Sequence, residues 1–136
     1  MLIILDYDSG NTHSIKHACS YLGYKATITS DIESIYNASK IIVPGQGAFK
    51  QAMDNLNSKN LISPLKKILE NGVPFLGICL GFQILFESSS EHINSNGLGV
   101  LPGHITPIKA PDLKIPHMGW NNCLFKNKNM FKGIDP

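Results

Sequence analysis

The chain has no arginine. All 12 of its basic residues are lysine, and they offset 10 acidic ones to leave a formal net charge of only +2. Proteins that bind nucleic acid gather cations into a patch, with arginine among them. Here the lysines are dispersed, Lys66–Lys67 being the one adjacent pair, so a nucleic-acid partner is not expected. Cysteine is scarce and odd in number: Cys19, Cys79 and Cys123 lie far apart, which excludes a disulfide framework and suits a reducing compartment. No CxxC or HExxH spacing is present, so no zinc site, and no metal or other cofactor, is expected. Apolar runs stay short of membrane-spanning length. The opening MLIILDYD turns acidic within six residues, unlike a signal peptide, and points to a cytoplasmic protein without a membrane partner.

What is present suits one domain over residues 1–136. Apolar residues make up 43% and charged residues 16%, enough to bury a core. Leu2–Leu5, Ala26–Thr29, Ile41–Val43 and Pro74–Ile78 are short apolar or β-branched runs, read as strands. Between them, residues 12–22 (with Ile15, Ala18, Cys19 and Leu22 at helical spacing), a turn at 31–35, and segments 49–56 and 64–71 read as helical, and 80–86 follows as another helix. Strands alternating with helices predict an α/β fold, a doubly wound and mostly parallel sheet with helices on both faces. Beyond Gly97 the chain is punctuated by Gly and Pro and reads as short strands and loops.

In such a sheet, functional groups collect at the carboxyl ends of the strands. Three loops arrive there: DYDSGN (6–11), PGQGAF (44–49) and GICLGF (77–82). Gly77 and Gly81 flank Cys79 two residues on either side. A nucleophile on a sharp strand-to-helix turn needs that spacing, because side chains there would collide as strand and helix cross. A cysteine so placed sits at a helix N-terminus, where amide dipoles favour thiolate. The competing reading is a cysteine buried in an apolar strand. The chemical reading predicts unusual backbone dihedrals for Cys79 at the end of a central strand. PGQG and the N–H of Leu80 would supply donors for an oxyanion, although a tight turn before a helix would equally use Pro-Gly. DYDSGN could cradle phosphate, but Asp6 and Asp8 oppose it and the loop holds no cation. None of the five histidines is marked locally as a base.

Taken in order, DYDSGN, PGQGAF, GVPFLGICLGFQILFESS, GLGVLPG and PHMGWN resemble the glutaminase subunits of imidazole glycerol phosphate synthase, class I (triad) glutamine amidotransferases with a flavodoxin-like fold. The resemblance spans nearly the whole chain. It implies that Cys79 attacks the side-chain amide of glutamine and forms a glutamyl thioester. It assigns the oxyanion hole to the amide of Leu80 with that of Gln46 or Gly47, and glutamine binding to Gly47 and Gln83. Asn11 and Trp120 fall in segments that face the cyclase partner, a (β/α)8 barrel that consumes the ammonia in histidine biosynthesis. Asp8 stands where the family usually has Gly, and Gln46 where Val is frequent.

The resemblance also implies a His-x-Glu pair that completes the triad, and these 136 residues hold none after Cys79: His92, His104 and His117 are followed two positions later by Asn94, Thr106 and Gly119. The chain therefore reads as a partial amidotransferase domain lacking its C-terminal third, inactive by itself, with a sheet edge left open and prone to self-association. Two other readings share the same residues. One is a paralogous subunit that feeds ammonia to another synthase, such as one aminating a surface sugar; the other is a non-catalytic binding or regulatory module.

Overall fold

Four short apolar segments assemble side by side in the computed structural model, which describes residues 1–124 and 131–133. They are β1 (Leu2–Leu5), β2 (Ala26–Thr29), β3 (Lys40–Val43) and β4 (Phe75–Gly77), all parallel, in the order β2-β1-β3-β4. The helices between them are α1 (Thr12–Tyr21), α2 (Ile32–Tyr36), α3 (Phe49–Ser58) and α4 (Ile62–Glu70). Asn11 starts α1 by accepting the Ser14 N–H at 3.0 Å, and Asp31 starts α2 by accepting that of Ser34 at 2.8 Å. Each satisfies an amide that the first helical turn leaves without an internal partner.

Alternate residues of a strand face opposite sides of the sheet. Ile3, Leu5, Ile41 and Val43 point into the main core, where they meet Ile35 of α2, Leu56 of α3 and Leu65 of α4. Among the described residues the other face receives α1, none of whose residues is buried. There an apolar hollow of about 750 Å³ opens among Leu2, Cys19, Ile42 and Leu76. Leu22, on the apolar stripe expected for α1, stays 69% exposed. This is the α/β doubly wound, flavodoxin-like class expected, with one face closely covered and the other thinly.

Two expectations are corrected. Cys79 follows β4, and β4 is the edge of the four-stranded sheet among the described residues, not a central strand. The helix expected at 80–86 ends early: α5 covers Leu80–Gln83, and Phe86–Ser89 form β5. The carbonyls of Ile84, Leu85, Phe86 and Glu87 accept N–H groups from residues 97–101 at 2.8–3.0 Å. These bonds tie the residues after Gln83 to a later segment of the chain. β5 joins a second sheet, antiparallel to β6 (Ser95–Asn96) and parallel to β7 (Leu101–Ile105).

Candidate active site

The order β2-β1-β3-β4 reverses direction between β1 and β3, and the loops that leave the carboxyl ends of those two strands meet there. Cys79 stands beside them at the turn from β4 into α5. Its φ is 52° and its ψ −114°, a region that a residue with a Cβ enters only under strain. The surroundings enforce it. A Cβ on Gly77 would lie 2.5 Å from the Gly81 carbonyl oxygen and from the Phe82 Cα. A Cβ on Gly45 would lie 2.5 Å from the Gly81 nitrogen, and one on Gly81 would run into the Val43 carbonyl. The glycines around Cys79 therefore let the end of β3 and the start of α5 touch backbone to backbone. Cys79 is exposed at the apex, and the Leu80 N–H beneath it has no hydrogen-bond partner among the described residues.

The DYDSGN loop is strapped onto PGQG. The Tyr7 hydroxyl donates to the Pro44 carbonyl at 2.6 Å, and the Ser9 hydroxyl donates to that of Gln46 at 2.9 Å. The Gln46 N–H in turn reaches Ser9 Oγ at 3.4 Å. Of the two loop amides assigned by resemblance to an oxyanion hole, that of Gln46 is thus engaged and that of Gly47 makes no hydrogen bond among the described residues. Tyr7 is wholly buried, and burial above all raises its phenol above the ordinary 10.0, with a smaller opposing contribution from Ser9 and a reinforcing one from nearby Cys79. A raised value in the folded state means that Tyr7's contribution to stability is whole below pH 10.0 and declines as pH climbs through the folded value. Tyr7→Phe strands the buried Pro44 carbonyl and should cost about 1–3 kcal/mol at neutral pH while removing that alkaline decline. Urea unfolding of both proteins from neutral to alkaline pH measures both effects; equal stability at neutral pH would show that the bond contributes nothing.

Past Gly47 the chain runs into the lining of a cavity of about 310 Å³, formed by Ala48, Phe49, Lys50, Ser89, Glu91 and His92, among others. The Glu91 Oε2 is buried and has no hydrogen-bond partner. An unpaired carboxylate oxygen in such a place is costly unless something supplies a proton donor. No sequence signal marks Glu91: it ends the polar run ESSSE, and only the fold brings that run beside the start of α3.

Comparison with known proteins shows the family. The family model described as glutamine amidotransferase class-I matches residues 3–136. The chain belongs to that family. Over 127 residues the chain is 46% identical to the imidazole glycerol phosphate synthase subunit HisH of Listeria monocytogenes serovar 1/2a, covering 93% of this chain and 61% of the relative. Against the HisH subunit of Bacillus thuringiensis (strain Al Hakam) it is 49% identical over 121 residues, 89% of this chain and 57% of that one. The chain thus spans about three fifths of the length of these relatives. A solved structure titled "Crystal structure of glutamine amidotransferase" superposes with a TM-score of 0.65 at 22% identity, over 76% of this chain and 55% of that one, which supports the fold.

Other residues of interest are spread more widely over the chain. Gln83 closes α5, half-buried, one turn after Cys79. The Asn11 side chain is exposed and occupied with capping α1. Trp120 is fully exposed and Met118 is 85% exposed. The two histidines with side-chain hydrogen bonds are paired elsewhere, His104 with Ser88 and His117 with Asn121. Among the described residues no group of three or more His, Cys, Asp or Glu is placed to hold a metal, and no helix is long and apolar enough to cross a membrane.

Proposed function

We propose that this chain carries the nucleophile half of a glutaminase. The observation that carries the reading is Cys79 itself, at φ 52° on a strand-to-helix apex built from close-packed glycines. The Cys79 thiolate attacks the side-chain carbonyl carbon of glutamine. The resulting oxyanion receives N–H groups from Leu80 and Gly47, both without a hydrogen-bond partner among the described residues. The thiol proton must reach the departing nitrogen, so that the C–N bond breaks with release of ammonia and a glutamyl thioester remains. Water then cleaves the thioester to glutamate and restores the thiol.

Gln83 and Gly47 hold the glutamine in this reading. The buried, unpaired Glu91 carboxylate oxygen is suited to the substrate's α-ammonium group, which would supply the missing donor. The likeness to HisH subunits supports delivery of the ammonia, in the cytoplasm, to a cyclase barrel that makes imidazole glycerol phosphate for histidine biosynthesis. Trp120, with Asn11, would anchor that partner, since exposed aromatic residues are favoured as hot spots.

The test is covalent trapping. A chloromethyl ketone analogue of glutamine should alkylate Cys79, glutamine should protect it, and Cys79→Ser should abolish the adduct in intact-mass spectra. Iodoacetamide reports bare thiol reactivity in parallel. Labelling by the analogue that glutamine does not slow would reject a glutamine site.

A further inference from the structure

The face of α3 that does not enter the core carries a stripe at four-residue spacing: Gln51, Asn55 and Lys59. Side chains at that spacing stack along one side of a helix. The Gln51 Nε2 donates to the Asn55 Oδ1 at 2.8 Å, which turns the Asn55 amide nitrogen outward to donate to the Asp8 carbonyl at 3.3 Å. One turn further, the Lys59 Nζ lies 3.0 Å from the Asp8 carboxylate. Both ends of Asp8 are thus held by one helix face. Asp8 needs holding: its φ is 59°, in the left-handed region that aspartate tolerates better than most residues but does not prefer. The next residue is Ser9, whose hydroxyl engages both backbone groups of Gln46.

We infer that Asn55 and Lys59 are positioning residues for the PGQG loop: by pinning Asp8 they set Ser9 on Gln46, next to the unengaged Gly47 amide. The effect passes through Asp8 and Ser9, and neither Asn55 nor Lys59 touches substrate. The significance for catalysis rests on the glutaminase reading above; the strap itself does not.

Two measurements separate the two levels. The first is amide hydrogen exchange by NMR on the 136-residue chain. In Asn55→Ala/Lys59→Ala, exchange at Gln46 should rise about two- to five-fold, the size expected when an exposed ion pair is lost. Amides of Ile4 and Ile42 in the sheet should stay at wild-type rates. Ser9→Ala gives the ceiling for Gln46, and Lys59→Arg beside an intact Asn55 should return it to the wild-type rate. Asp8→Gly keeps the left-handed backbone without the ion pair, and should exchange faster than wild type but slower than Ser9→Ala. Wild-type exchange at Gln46 in the double variant, or no rise in Ser9→Ala, would overturn the inference, whatever the chain does with glutamine. The second measurement is the ratio of chloromethyl ketone to iodoacetamide labelling at Cys79. It should fall in the double variant with iodoacetamide labelling unchanged. A faster-exchanging Gln46 without glutamine protection in any variant would uphold the strap and reject the glutaminase reading instead.

Discussion

Gly81→Ala should cost about 3 kcal/mol and remove the productive elbow with it. A methyl group there would meet the Val43 carbonyl oxygen and come within 2.8 Å of its carbon and 2.9 Å of the Pro44 oxygen. All three are backbone atoms at the end of β3, so no rotamer change relieves the clash; either the strand end or α5 must move. Gly119→Ala is the matched control, because nothing lies within 4 Å of a Cβ there and its φ is not positive. Urea denaturation should place Gly119→Ala near wild type and Gly81→Ala well below it, with Cys79 labelling by the glutamine analogue lost at denaturant-free conditions. Near-equal midpoints for the two variants would mean that the close contact between β3 and α5 is not needed for folding.

The isolated 136-residue chain should release ammonia from glutamine roughly 10²- to 10⁴-fold more slowly than the full-length Listeria relative, the usual contribution of general-base assistance. No His-x-Glu pair follows Cys79 in these residues, and among the described ones no histidine hydrogen-bonds the Cys79 sulfur. A thiol with no base is a poor nucleophile at neutral pH, yet it still alkylates. The expected pattern is therefore divided: labelling of Cys79 without turnover. A coupled ammonia assay on both proteins tests it. Turnover comparable to the relative's, lost in Cys79→Ser, would locate a base among residues that the motif search passed over.

Much of the molecule was legible from residue order because the signals were local. Four apolar, β-branched runs separated by helical spacings specified a parallel sheet, since strands buried between helices have no polar face to show. The span Ala26–Thr29 formed as β2, and Gly77 and Gly81 around Cys79 indicated the strained apex, because only close backbone approach requires both. The family likeness was readable for the same reason: its motifs are short loops whose chemistry is carried by consecutive residues.

What the tertiary structure decided depends on groups distant in sequence. The α5 helix gives way after Gln83 to β5, whose partners β6 and β7 come from later segments, a pairing that no window of local sequence contains. β4 lies at the sheet's edge because no described strand pairs on its far side. The choice between the Gln46 and Gly47 amides turns on one hydroxyl, that of Ser9, 37 residues away. Glu91 becomes a candidate ligand only when ESSSE is folded beside the start of α3 and one of its oxygens is left dry. Periodicity along a chain fixes which face of an element is apolar. Which donors remain unclaimed is settled only when every partner has been placed, because each backbone N–H binds whichever acceptor the assembled fold brings within reach.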